Sequence, residues 1–355
     1  MPLPSSRTAK RPLRSAIADS ARLTELSGFG TNPGNLKGWY FTPSEVTGKR
    51  PLVVVLHGCT QQAQGFDKGS GWSSLAETYG FALVFPEQQR TNNPNLCFNW
   101  FSPGDTVRGT GETLSIAEMI DAMVEQHDAD PERVFITGLS AGGAMTSVML
   151  ATYPEKFAGG AILAGLPHGA AASVGEALQQ MRAHTPSART SGQSIQAATG
   201  HSGEWPTISI WHGTADSVVD ESNADAILKQ WLEVHGLPQT PDETDMVDRH
   251  PHRVWKDSAG KLVVEEYRVT GMGHGVPLAA SGECGFGAPG AFMLEAGISS
   301  TVRSARTWGL LAGEPRIRQE TLKAADELPG AMPPRPVLST QQIIEDALRA
   351  AGLMK

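Results

Sequence analysis

Short runs of Val, Ile and Leu that end near glycines alternate along this chain with segments in which apolar residues recur at helical spacing. This alternation is typical of a mostly parallel β-sheet with helices on both faces, and it argues against an all-α or all-β fold. The predicted strands are 52–58, 82–87, 133–138, 160–165, 207–213 and 263–271. The predicted helices are 72–79, 112–127, 141–152, 221–235 and 290–308.

We predict that residues 24–311 form one α/β domain around this doubly wound sheet. Residues 166–204 interrupt the alternation with a stretch rich in Ala, Ser, Gly and Thr, directly after a predicted strand. Insertions at the carboxyl end of a strand in an open α/β sheet overhang the ligand crevice. The 166–204 segment is therefore predicted to be a small cap or lid.

Two terminal segments flank the predicted domain. Residues 1–23 begin with a basic stretch that holds no acidic residue before Asp19, and we expect a solvated arm, with contact to an anionic surface or partner as the alternative. Residues 312–355 combine a proline-rich linker with a C-terminal amphipathic segment. We expect that segment to dock as a helix on the domain, or else to join two copies of the chain in a homodimer.

Composition excludes several classes of protein. Of the 355 residues, 40% are hydrophobic and 19% are charged, which is typical of a globular enzyme rather than a disordered or fibrous chain. The net charge of −8 argues against general nucleic-acid binding, and no apolar run is long enough for a membrane span. The first residues lack the apolar core of a secretion signal, so a cytoplasmic location is expected for the chain as written, and secretion if its N-terminus is incomplete.

The stretch VFITGLSAGGAM, residues 134–145, places Ser140 between a predicted strand and a predicted helix, with glycines close by on both sides. Small neighbours allow a strand to turn sharply into a helix, and the residue at the turn then projects from the sheet. This pattern predicts a nucleophile elbow, in which the backbone N–H of Ala141 stabilises the developing oxyanion.

A nucleophilic serine needs a base and an acid, which follow it in the chain order serine, acid, histidine in this architecture. Asp216 lies just beyond the predicted strand 207–213 and is the favoured acid; Asp220 and Glu221 are alternatives that fit a helix start better. His274 follows the predicted strand 263–271 among glycines and is the favoured base.

A second oxyanion donor is expected from the loop after the first apolar strand. There the sequence His57-Gly58-Cys59-Thr60 lets the backbone curl toward the serine. Either the Cys59 or the Thr60 amide could serve, and Cys59 is favoured by its place directly after His-Gly.

Over residues 24–311 the chain resembles the poly(3-hydroxybutyrate) depolymerase family of α/β-hydrolase esterases. The resemblance is carried by blocks that include LHGCTQ, GFALVFPEQQ, NNPNLCFNWF, ITGLSAGGAM, WHGTAD, TGMGHGVPL and GISSTVRSARTWGL. It implies an α/β-hydrolase fold and hydrolysis of a polyester, or of its oligomers, through an acyl-enzyme, without metal or cofactor. It also implies Ser140, Asp216 and His274 as the catalytic triad, with Cys59 and Ala141 as oxyanion donors.

The chain departs from the family in two ways. Where many members have Cys-Trp-Asn-Trp, this chain has Cys97-Phe98-Asn99-Trp100. Secreted members pair the cysteines that match Cys59 and Cys97, so the resemblance implies a disulfide here if the compartment is oxidising.

The resemblance also bears on the substrate. The residues after Leu311 are too few for the separate polymer-binding domain of secreted members, so a soluble oligomer, an amorphous granule or another acyl polymer is expected. Asn99, Trp100 and Trp205 are the candidate substrate contacts, although a tryptophan is more often part of a core.

Other functions remain open from the sequence. A poly(aspartic acid) hydrolase would need cations to hold the substrate carboxylates, for which Arg90, Arg108 and Arg182 are candidates. A feruloyl or acetylxylan esterase would use the same triad. A scaffold that keeps the fold without catalysis is disfavoured by the complete set of predicted catalytic residues.

Overall fold

In the computed structural model, which describes residues 22–44 and 48–312, ten strands form one sheet and two form a small separate one. The strands of the large sheet are β1 (Thr24–Leu26), β2 (Lys37–Phe41), β3 (Arg50–Leu56), β4 (Ala82–Glu87), β5 (Ala129–Leu139), β6 (Gly159–Leu163), β7 (Thr207–Gly213), β8 (Glu243–Val247), β9 (His250–Lys256) and β10 (Leu262–Val269). The small sheet pairs β11 (Val276–Leu278) with β12 (Met293–Glu295).

The large sheet has the order β1-β2-β4-β3-β5-β6-β7-β10-β9-β8. The six central strands, β4-β3-β5-β6-β7-β10, pair in parallel. At one edge β2 pairs antiparallel with β4 and β1 with β2, and at the other edge β9 pairs antiparallel with β10 and β8 with β9. The carboxyl ends of the parallel strands therefore meet at one edge of the sheet, where ligand crevices form in folds of this class.

Helices cover both faces of the sheet. They are α1 (Ala63–Ser70), α2 (Trp72–Tyr79), α3 (Pro103–Thr106), α4 (Gly111–Gln126), α5 (Ala141–Thr152), α6 (Val174–Arg182), α7 (Gly192–Ala198), α8 (Ser222–His235) and α9 (Ser300–Thr307). Alternate residues of β3 point to opposite faces: Val54 packs in the cluster that contains α4, α5 and α8, and Val53 packs in the cluster that contains α1, α2 and α9. The two cores explain why the central strands are apolar on both faces.

All six predicted strands and four of the five predicted helices are present, with small shifts of their ends. The prediction of a helix over 290–308 is wrong in its first half. Residues 293–295 form β12 instead, Gly297 adopts a left-handed φ of 73°, and α9 begins at Ser300, where the Ser299 side chain accepts a hydrogen bond from the Val302 amide. The glycine and the capping serine break the helical pattern at that point.

The 166–204 segment contains α6 and α7. The C-terminal end of α6 is hydrogen-bonded to the loop before α8 and to the first turn of α8. The Asp220 amide donates to the Met181 carbonyl at 2.8 Å, and the Asn223 side chain donates to the Gln180 carbonyl at 2.9 Å. The segment thus lies beside the loop that carries Asp216.

The predicted basic arm, up to residue 21, and the predicted linker and C-terminal helix lie outside the described residues. Within the described ranges, no helix is long and apolar enough to cross a membrane.

Candidate active site

Ser140 occupies the turn between β5 and α5. Its backbone lies at φ 57° and ψ −115°, a conformation that non-glycine residues rarely adopt. A Cβ on Gly138 would lie 2.4 Å from the Gly142 carbonyl oxygen, and one on Gly142 would lie 2.4 Å from that of Leu56. The two glycines therefore allow strand, turn and helix to approach closely, which is the geometry of a nucleophile elbow.

The loop after β3 curls toward Ser140. The Thr60 amide donates to the Asn95 carbonyl at 2.7 Å and is therefore occupied, whereas the Cys59 amide has no partner among the described residues. A disulfide joins Cys59 to Cys97. Of the two amides left open by the sequence, only that of Cys59 is available to a ligand in this conformation.

The buried His57 side chain stabilises this loop through two hydrogen bonds. Its Nδ1 lies 2.7 Å from the Gly58 carbonyl, to which it must donate, and its Nε2 accepts from the Gln88 amide at 3.1 Å. Burial lowers the pKa of His57 to about 4, so the ring is neutral at physiological pH.

A buried carboxyl group, that of Glu112 in α4, holds the segment that bears Cys97. It accepts hydrogen bonds from the Gln88 side chain and from both the amide and the side chain of Asn99. Burial, together with the nearby Asp105, raises the pKa of Glu112 to about 8. No local sequence pattern indicates this network, because its members come from three separate segments.

Asp216 and His274 are in direct contact. His274 Nδ1 lies 2.7 Å from Asp216 Oδ2, and because a carboxylate only accepts, the ring donates from Nδ1 and leaves Nε2 as an acceptor. Asp216 Oδ1 accepts the amides of Val218 and Val219 at 2.8 and 3.0 Å. Burial alone would raise the pKa of Asp216, but these hydrogen bonds and the neighbouring imidazoles lower it, so the carboxylate is ionised.

The alternative acids belong to the start of α8. Asp220 Oδ1 accepts the amide and the hydroxyl of Ser222, and Glu221 immediately precedes the helix. Among the described residues, Asp216 and not these two is the acid that contacts His274.

Ser140 and His274 lie on the wall of one cavity of about 270 Å³ at the carboxyl edge of the sheet. The Ser140 hydroxyl has no hydrogen-bond partner among the described residues. The lining is mostly apolar: Gly58, Cys59, Thr60, Gln61, Asn93, Pro94, Asn95, Cys97, Trp100, Phe101, Leu139, Ala141, Leu166, Val174, Ala177, Leu178, Met181, Val218, Val219 and Phe292 complete it. Of the described residues that line it, His274 alone has an ionisable side chain.

Four of the lining residues come from α6, at the spacing i, i+3, i+4, i+7: Val174, Ala177, Leu178 and Met181. This spacing puts them on one helical face. No group of His, Cys, Asp or Glu side chains within the described ranges could hold a metal ion.

The sequence model of the family described as Esterase PHB depolymerase matches residues 37–244. The chain is 44% identical to poly(3-hydroxyalkanoate) depolymerase C of Paucimonas lemoignei, over 84% of this chain and 73% of the relative. The chain belongs to the PHB depolymerase esterase family. It is therefore a carboxylic ester hydrolase.

Two esterases with other names are also similar to this chain. The acetylxylan esterase of Coprinopsis cinerea is 33% identical over 73% of this chain and 70% of its own length. The solved acetyl xylan esterase of Aspergillus awamori has a TM-score of 0.68 and 25% identity, and covers 81% of this chain and 99% of its own. Its likeness shows that the sheet described above is that of an α/β-hydrolase.

Of the three residues predicted to contact substrate in this esterase, Trp100 lines the cavity and the other two do not. Asn99 is turned to Glu112 by the two hydrogen bonds described above. Trp205 packs edge-on against Trp231, with ring centroids 6.3 Å apart, and against His201 at 5.0 Å. The sequence offered Trp205 as a candidate contact, but in the structure its ring packs against Trp231 of α8.

Proposed function

We propose that this esterase hydrolyses neutral hydroxyalkanoate chains, either poly(3-hydroxybutyrate) or its oligomers, with Ser140, His274 and Asp216 as its triad. Ser140 Oγ attacks the ester carbonyl while His274 Nε2 takes the hydroxyl proton. Asp216 holds the imidazole in the tautomer described above. The amides of Cys59 and Ala141 donate to the oxyanion that forms on the carbonyl oxygen.

Collapse of the tetrahedral intermediate breaks the ester C–O bond, and His274 returns the proton to the leaving alkoxide. The acyl group then remains on Ser140 as an ester. Water attacks this acyl-enzyme with His274 again as base, and the second collapse releases the acid and restores the Ser140 hydroxyl.

The observation that carries the substrate proposal is the character of the cavity wall. Its apolar lining suits the methyl and methylene groups of a polyester, because burial of apolar surface favours binding. A poly(aspartic acid) chain would bring carboxylates into this wall, which offers no cation to pair them among the described residues.

None of the three arginines considered for such a substrate lines the cavity. Arg90 donates to the Pro94 carbonyl, and Arg108 donates to the Thr152 carbonyl and to Glu155. Arg182 is exposed at the end of α6 and does not line the cavity. These positions support ester over poly(aspartate) hydrolysis.

A panel of 3-hydroxybutyrate oligomers, amorphous polymer, acetylated xylan and poly(aspartic acid) tests the proposal, with Ser140→Ala as the control. We expect the oligomers to give the highest kcat/KM and poly(aspartic acid) to give no turnover. If acetylated xylan were the better substrate by an order of magnitude, the acetylxylan esterase relatives would be the right guide to its activity.

We also propose that the protein works in an oxidising compartment, because a disulfide beside the active site persists only where thiols are oxidised. Of the three cysteines, two are paired and Cys284 is free. Protein purified without reductant is expected to show one thiol when denatured. Three thiols in fully active enzyme would support the cytoplasmic alternative.

A further inference from the structure

His212 is a buried histidine beside the proposed triad that no step of the reaction above uses. It lies next to the end of β7 and is 1% exposed. Its Nε2 lies 2.8 Å from the Val219 carbonyl oxygen and 3.5 Å from Asp216 Oδ2. Its Nδ1 is buried and has no partner among the described residues.

These contacts determine the protonation of the ring. A carbonyl oxygen only accepts, so Nε2 carries the hydrogen, and a proton on the unpartnered Nδ1 would be buried without an acceptor. Burial lowers the pKa of His212, against the attraction of Asp216. Arg268 on β10 and His274 lower it further, and Asp220 is the remaining charge nearby. His212 is therefore a neutral donor.

The His212 N–H connects the two ends of the loop that carries the proposed acid, Asp216. The chain leaves β7 just after His212, reaches Asp216, and returns to Val219, where the imidazole binds the carbonyl. The amide of the same Val219 donates to Asp216 Oδ1 at 3.0 Å. The ring thus holds the returning end of the loop to the strand from which it started.

The same nitrogen also lies near the Asp216 carboxylate. Asp216 Oδ2 lies between His274 Nδ1 at 2.7 Å and His212 Nε2 at 3.5 Å. The second distance is too long for a full hydrogen bond, but in a buried site the N–H dipole still stabilises the negative charge on Oδ2.

We propose that His212 is a positioning residue for ester hydrolysis: its Nε2–H fixes the Asp216 loop and stabilises the carboxylate that orients His274. This inference rests on the proposed triad. Loss of the donor concentrates the carboxylate charge on the His274 side, which favours the protonated imidazole. Because a protonated His274 cannot accept the Ser140 proton, the acid limb of the pH profile should move to higher pH.

The test compares His212→Phe, which keeps a ring of similar size without the donor, with His212→Gln, whose amide can donate from a similar position. We expect His212→Phe to lower kcat for a short p-nitrophenyl ester roughly ten- to hundredfold with little change in KM. We expect its acid limb of kcat/KM to move upward by several tenths of a pH unit. His212→Gln should recover most of both effects.

Equal losses in the two variants would overturn the proposal, as would an acid limb in His212→Phe that stays in place or moves to lower pH. If His212→Phe does not fold, nitrogen NMR of the wild-type protein still decides. His212 should keep a proton on Nε2 and none on Nδ1 throughout the pH range in which activity appears. A proton on Nδ1 would contradict the assignment.

The outcome can be separated from failure of the triad itself. If Ser140→Ala and His274→Ala retain turnover, the proposed function fails. If they are inactive and the His212 variants behave alike, only the role of His212 fails.

Discussion

The cavity has two walls of opposite construction. One, here called the loop wall, consists of residues 57–61 and 92–101, and is tied down by the Cys59–Cys97 disulfide and the buried Glu112. The other is the apolar face of α6, where Ala177 is the one buried residue and Val174 is 37% exposed. The loop wall carries a proposed oxyanion donor, whereas α6 contributes apolar side chains without polar contacts to the reacting groups.

The contrast shows how one fold can place the group that acts in the reaction on one wall and the surface that selects the substrate on another. A donor must hold its position within a few tenths of an ångström to stabilise an oxyanion, so cross-links and buried hydrogen bonds are useful there. An apolar surface tolerates changes of shape, because hydrophobic contact has no direction. Variants of the two walls should therefore fail in different ways.

The largest effect is expected from replacing residues of the proposed triad. Ser140→Ala or His274→Ala should lower kcat for a p-nitrophenyl ester at least about a thousandfold, because triad members act as a unit. Melting temperature should change little, since each replacement removes few packing contacts. A variant of either residue that kept near-normal turnover would remove the basis for assigning chemistry to this cavity.

The next effect comes from the cross-link of the loop wall. In Cys59→Ala/Cys97→Ala the Cys59 backbone amide remains but its brace is lost, so we expect kcat to fall more than KM rises. We expect the free energy of unfolding to drop by about 3 kcal/mol. Denaturant titration and steady-state kinetics measure both, and Cys284→Ala is the control that removes a thiol without a bond.

If the double variant lost stability but kept its kcat, the disulfide would not position the donor. The two walls would then differ in stability and not in their role.

A smaller, pH-dependent effect is expected at Glu112. With its pKa raised to about 8, the folded protein keeps a proton that the unfolded chain releases near its ordinary value of 4.5. Glu112 therefore contributes stability that is fully present below about pH 4.5 and is lost as the pH rises through about 8.

Urea unfolding of wild type and Glu112→Gln at pH 5 and pH 8 tests this. The advantage of wild type over the variant should shrink at the higher pH. Parallel curves would show that the carboxyl does not titrate in this range and that the loop wall is anchored by an ionised group.

The smallest effect on the reaction itself is expected on the α6 wall. Met181→Ala should reduce kcat/KM for short acyl esters by at most roughly tenfold, because only apolar contact is lost. The enlarged cavity should shift the preferred p-nitrophenyl ester to a longer acyl chain. Arg182→Ala, on the exposed end of the same helix, is the control and should leave the chain-length preference unchanged. A large loss of kcat/KM on all chain lengths with Met181→Ala would show that the two walls do not differ in their role.

Much of the fold was readable from local patterns. The central strands are apolar on both faces, so their runs of Val, Ile and Leu stand out, and the glycines around Ser140 mark the turn into α5. The edge strands β1, β2, β8 and β9 were missed because they are short, mixed in polarity or strongly exposed. The prediction of a helix over 290–308 is wrong because the apolar spacing continues across Gly297 and the capping Ser299, where the helix is interrupted.

Sequence alone determined the α/β architecture, the family and the ester chemistry, because each is encoded in residues that lie next to each other or in a fixed succession of elements. It also suggested the proposed triad. Tertiary structure decided which atoms are free to act. The Asn95 carbonyl occupies the Thr60 amide, Glu112 turns Asn99 away from the cavity, and the loop after β7 brings His212 against Asp216. Such contacts join segments that are distant in the chain, so no local sequence pattern predicts them.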